Sequence, residues 1–182
     1  MSALERNLVQ YAAYHRDRRN IATHVVGVPT IVFSGLLALT TFAFPVGPLF
    51  VTGAAVLSIA MVAWYLWLDR RLGVAMAIAF FVMCAGASEI EPRLGAAPTL
   101  ALAAALFIGG WALQFLGHKF EGMKPAFFDD VKQLLVGPLF VCAEIAFLFG
   151  TRAELRSRIE QHVGPTVARR TPWPDTTKPS VG

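Results

Sequence analysis

Four long apolar runs, Val25 to Phe44, Val46 to Leu68, Leu72 to Ala87 and Pro98 to Gly117, alternate along the chain with short polar segments. A helix needs about 20 residues to cross a hydrocarbon core, and these runs approach or exceed that length. A fifth run, Leu134 to Phe149, is shorter and is interrupted by Gly137 and Pro138. None shows the strict apolar/polar alternation of a membrane barrel, and an open sheet would leave its edge amides unsatisfied in lipid. The pattern therefore predicts an all-α fold, a polytopic membrane helical bundle with four spans.

Polar stretches frame this core. Residues 3 to 19 place Leu4, Leu8, Tyr11 and His15 near one stripe, which predicts an N-terminal amphipathic helix. Asn20 reads as the N-cap that ends it and begins the first span, with Gly27 and Pro29 loosening that span just after His24. The segment "RAELRSRIEQHV" predicts a second, charged helix. After Gly164 the stretch "PTVARRTPWPDTTKPSVG" carries four prolines and no periodicity. Residues 165 to 182 thus read as a disordered tail and residues 1 to 164 as one membrane-embedded domain. The first 24 residues are charged throughout and contain no apolar core segment, so no cleaved signal peptide is expected.

Charge orients the bundle. With four spans, fifteen of the sixteen Lys and Arg residues share one side and only Arg93 lies opposite; a crossing fifth run would divide them nine against seven. The positive-inside bias selects the four-span count, with both termini in the cytosol. The fifth run becomes a short re-entrant or interfacial helical segment, which also suits its Glu144. The net charge of +4 accordingly serves a membrane face, not nucleic acid. Cys84 and Cys142 lie inside apolar runs and read as packing residues.

This topology brings the start of the first span and the end of the fourth to one face, so His24 and His118 can meet, with His15 just upstream. In "QFLGHKFEGMKP" the spacing of Gln114, His118 and Glu121 keeps them within about 60° of one another on a helix. Imidazole and carboxylate donors favour iron, zinc or manganese. The alternative is that these histidines only hydrogen-bond helices together. Arg16, Arg18 and Arg19 read as anchors to anionic headgroups, "WYLWLDRR" as an interfacial belt, and His162 as a solvated side chain. The chain has no GxGxxG, Walker A, GxSxG, HExxH or CxxC motif.

"YHRDRRNIATHVVGVP" (Tyr14 to Pro29) and "WALQFLGHKFEGMKPAFFDDVKQLLVGPLFVCAE" (Trp111 to Glu144), with apolar spans of matching layout between them, resemble the family of fungal 2-hydroxy fatty acid dioxygenases and their bacterial relatives. The resemblance implies an iron(II)-dependent integral membrane dioxygenase that takes a 2-hydroxy fatty acid and dioxygen and shortens the acid by one carbon. It would lie in the inner membrane of a bacterium or the endoplasmic reticulum of a fungus, with its active site on the cytosolic side. The family's essential histidines fall on His15, His24 and His118, with Glu121 as a fourth ligand or supporting base. Asn20 and Gln114 are cast as hydrogen-bonding residues that orient the imidazoles. Arg16, Arg19, Lys119 or Lys124 would neutralise the substrate carboxylate. The tail after Gly164 lies outside the resemblance. The rivals are a zinc-dependent membrane lipid hydrolase using the same donors and a non-enzymatic scaffold or transporter.

Overall fold

Ser2 begins the first helix, α1 (Ala3–Ala12), through a reciprocal cap: its hydroxyl accepts from the Glu5 amide and the Glu5 carboxylate accepts from its own amide. The helix ends well short of residue 19. Residues 13 to 17 form a turn, and the second helix, α2 (Arg18–Thr40), starts immediately afterwards. Its cap is Asp17, whose Oδ1 accepts from the Arg19 amide at 2.8 Å. Asn20, expected to be that cap, instead lies in the first turn of α2 and uses its side chain elsewhere. Pro29 is accommodated within the helix.

The computed structural model describes residues 1–167, an all-α membrane helical bundle with one small hairpin. After α2 come strands β1 (Ala43–Val46) and β2 (Leu49–Thr52), then α3 (Gly53–Leu68), α4 (Arg70–Ser88), the single turn α5 (Glu91–Leu94) and α6 (Ala96–Glu121). Among the described residues, three helical stretches are long and apolar enough to cross a membrane: Arg18–Thr40, Arg70–Leu94 and Ala96–Glu121. The second apolar run departs from expectation. Its first residues form β2, because Gly47 at φ +60° and Pro48 turn the chain back on itself. What remains is the 16-residue α3, about 24 Å long at 1.5 Å per residue. The fifth run forms α7 (Gln133–Leu148), which meets α8 (Ala153–Val163) at 116°. Gly150 and Arg152, both at positive φ, make that break.

The described chain divides into two compact units. One comprises Pro29–Trp111. Within it α3 packs on α4 at Gly73, where a Cβ would collide with the backbone of Tyr65 and Leu66. Its exposed side includes Ile59, Trp67, Ile78 and Phe81, a surface suited to lipid. The other unit comprises Met1–Val28 and the chain from Ala112 onward. Here α1 buries Leu4, Leu8, Tyr11 and Ala12 and packs on α7 and α8. Gly137 of α7 admits the Tyr11 ring. Glu5 pairs with Arg158 of α8, and Tyr14 donates to Asp129 in the loop before α7. The beginning of α2 and the end of α6 belong to this second unit.

Candidate metal centre

His15 sits in the turn between α1 and α2, His24 one turn into α2 from Asn20, and His118 in the last turn of α6. All three are buried, and one ligand atom from each lies within 4.8 Å of the others. The Nε2 atoms of His15 and His24 are 3.1 Å apart. The other nitrogen of each ring is committed: His15 Nδ1 donates to the Tyr11 carbonyl at 2.7 Å and His24 Nδ1 to the Asn20 carbonyl at 2.9 Å. These bonds set the tautomer and leave an acceptor lone pair on each facing Nε2. His118 Nδ1 is buried with no hydrogen-bond partner. Two donors held about 2.1 Å from one ion stand about 3 Å apart, so the His15–His24 pair has the separation a transition metal needs, with a ligand atom of His118 within 4.8 Å of both. Backbone carbonyls already fill the outer hydrogen-bonding role that metal-binding imidazoles require.

Aromatic packing fixes His15. Its ring stacks on Tyr11 with centroids 4.1 Å apart and planes 5° from parallel, and Phe140 of α7 lies 5.5 Å away. Burial, reinforced by the neighbouring imidazoles, holds the His15 pKa well below its ordinary value and keeps the ring neutral, the form that binds metal. Burial also raises the Tyr11 phenol well above its usual value, so it stays protonated. Tyr14 is pushed up to about 12 by burial and by its bond to Asp129.

Glu121 does not join the histidine cluster. Its carboxylate is buried and accepts from the Arg16 amide (3.1 and 3.0 Å to the two oxygens), the Asp17 amide (2.7 Å) and Asn20 Nδ2 (3.1 Å). An acidic group from the end of α6 thus closes the amino end of α2. Asn20 also donates to the Tyr14 carbonyl at 3.2 Å, so it ties the His15 turn to Glu121. Gln114 is buried one turn before His118, and its Nε2 has no partner.

The basic residues considered for substrate neutralisation are disposed differently. Arg16 is buried and donates to the carbonyls of Ala12, His15 and Gly164, with Glu144 of α7 at 3.8 Å. Burial lowers its pKa, partly offset by the carboxylates of Glu144 and Glu121. Arg19 pairs with Asp17 and lies over the Phe120 ring, and Lys124 pairs with Asp129. His162 is exposed on α8, apart from the cluster.

Sequence reasoning missed Asp17, Tyr11 and Gly117 as parts of this site. A Cβ at Gly117 would fall on Thr23 Oγ1 and Asn20 Oδ1, so this glycine lets α2 and α6 approach beside the histidines. An isolated glycine inside an apolar helix was its available signal; for Asp17 it was the N-cap residue type just ahead of a helix. The segment after Gly164 is partly engaged: Val167 donates to the Arg16 carbonyl at 2.9 Å and accepts from the Arg18 amide at 3.0 Å. Residues 168–182, the rest of the expected tail, lie outside the described residues.

A family model described as "2-hydroxy-palmitic acid dioxygenase Mpo1-like" matches residues 1–149. The chain belongs to the Mpo1-like family. The 2-hydroxy-palmitic acid dioxygenase MPO1 of Saccharomyces cerevisiae is 30% identical to it over 152 residues, covering 82% of this chain and 83% of the yeast protein. No solved structure matches. The three histidines and Glu121 lie within the span matched to the Mpo1-like family, whereas α8 and Val167 lie beyond it.

Proposed function

We propose that this chain is an iron(II)-dependent membrane dioxygenase that shortens 2-hydroxy long-chain fatty acids by one carbon. The observation that carries the reading is the convergence of His15, His24 and His118, with the unprotonated Nε2 atoms of the first two facing each other, in a family whose yeast member is named for 2-hydroxy-palmitic acid. Iron(II) held by these nitrogens supplies the redox chemistry that dioxygen needs to react with an organic acid.

The surrounding residues prepare that site. The Tyr11 and Asn20 carbonyls orient two imidazoles, and Tyr11 with Phe140 keeps water from one side of His15. Glu121 acts as a positioning residue, because its carboxylate is filled by N–H groups of the turn that carries His15. A fatty acid suits the setting, since its head reaches the histidines while its tail remains among apolar helices or lipid. In this reading the site opens to the cytosolic face, where the charge pattern places both termini.

The test is incubation of detergent-purified protein with iron(II), oxygen and 2-hydroxyhexadecanoate, followed by mass analysis. The expected product is the fifteen-carbon acid, formed with iron(II) and consumption of oxygen. Zinc-supported hydrolysis of a lipid without oxygen uptake would overturn the reading, as would protein that binds no stoichiometric metal.

A further inference from the structure

Gln114 is 5% exposed, yet its Nε2 donor has no partner. It lies one turn from His118 on the same face of α6, on the side of the histidines that leads into the apolar run toward Ala112 and Trp111. A buried amide with an unmet donor is costly, and the more so where lipid, not water, surrounds the helix. No imidazole accepts from this nitrogen, so it does not hold a ligand ring. The donor is therefore unspent on any group of the described protein.

The basic side chains beside the site do not compete for a substrate there. Arg16 is spent on three carbonyls, Arg19 on Asp17 and Lys124 on Asp129, while Lys119 is exposed. If the head of a fatty acid lay at the histidines with its chain along the apolar direction of α6, its carbon-2 substituent would be nearer to Gln114 than its carboxylate would be. From this geometry we infer that Gln114 Nε2 donates a hydrogen bond to the carbon-2 hydroxyl oxygen and so selects 2-hydroxy acids over unsubstituted ones. This rests on the proposed substrate class. Selection by a buried donor is strong, because an acid lacking the hydroxyl leaves the amide as unsatisfied as before.

The deciding experiment measures anaerobic equilibrium binding of 2-hydroxyhexadecanoate and of hexadecanoate to the full chain in nanodiscs, loaded with iron(II), as wild type and as Gln114→Met. Methionine keeps the length and volume but removes the donor. The expected result is a fall of about tenfold in the preference for the hydroxy acid, with iron content unchanged and melting temperature equal or higher, since an unmet polar group has been removed. Gln114→Asn, which keeps the donor on a shorter arm, should retain more of the preference than Gln114→Met. An unchanged preference, or equal weakening for both acids, overturns the assignment; so does lost iron with a lowered melting temperature, which would mark Gln114 as part of the scaffold. Admitting oxygen afterwards tests the proposed reaction separately: acid bound by wild type but not turned over defeats that reading while leaving the binding comparison to judge Gln114.

Discussion

His15 Nε2 faces His24 Nε2 at 3.1 Å, and neither nitrogen has a proton to give, because each ring spends its one N–H on a backbone carbonyl. Two lone pairs at that distance repel. A cation between them turns the repulsion into coordination, and His118 brings a ligand atom within 4.8 Å of both. Histidines that merely tied helices together would donate to one another, which His15 and His24 do not.

Replacing His15, His24 or His118 singly by alanine should reduce bound iron(II) and cost most of the turnover, while His162→Ala remains near wild type in both. Iron content, oxygen uptake and melting temperature belong on the same preparations. If the histidines only cross-linked helices, each variant would melt lower yet keep its metal and its activity per folded molecule.

Glu121→Gln separates a ligand from a positioning residue. The carboxylate receives N–H groups on both oxygens, and an amide offers one oxygen and turns an NH2 toward the remaining donors. The expected cost is about 1–3 kcal/mol of stability, with iron stoichiometry retained at saturating metal and affinity weakened about 10- to 100-fold. Stoichiometry that cannot be restored at any iron concentration would make Glu121 a ligand.

Gly117 and Gly73 form a matched pair for testing where close helix approach matters. A Cβ at Gly117 meets Thr23 and Asn20 beside the histidines, whereas one at Gly73 meets the backbone of α3 in the other unit. Overpacking of this kind costs roughly 1–3 kcal/mol at either site. Iron affinity per folded molecule should fall for Gly117→Ala and hold for Gly73→Ala. Equal affinity in the two variants would mean that the α2–α6 approach does not set the site.

The convergence of His15, His24 and His118 is legible in the sequence because hydropathy and charge pair the start of one span with the end of another, which brings residues about a hundred apart to one face. The role of Glu121 is less legible. Its position on the helix stripe, three residues from His118, points as readily to a ligand as to a cap, and only the amides of Arg16 and Asp17 distinguish the two. Those amides converge because α1 ends at Ala12, whereas the apolar stripe continues to His15: side-chain periodicity persists through a turn that the backbone has already made. The hairpin at Gly47 and Pro48 is hidden likewise, since a uniformly apolar run carries no mark of where strand yields to helix.

Both termini should lie in the cytosol, because the fifteen basic residues gathered by the four-span count cannot otherwise share a side. Reporter fusions after residues 10, 95 and 165 check this, with residue 95 expected on the opposite face. A reporter at 165 found opposite one at 10 would mean that the bent pair α7 and α8 contributes a crossing.

Truncation locates the boundary of the functional chain. A chain ending at Val167 keeps the two backbone bonds to Arg16 and Arg18 and the Gly164 carbonyl that accepts from the Arg16 guanidinium. A chain ending at Val163 loses all three, each worth about 0.5–1.5 kcal/mol, and they converge on the turn that holds His15. The first truncation should match full-length protein in melting temperature and iron affinity. The second should melt lower and bind iron more weakly, because a looser turn must be ordered again when the metal binds. If both truncations matched the full chain, the contacts of Gly164 and Val167 would be packing without consequence for the site; if both failed, residues beyond 167 would have a role in it.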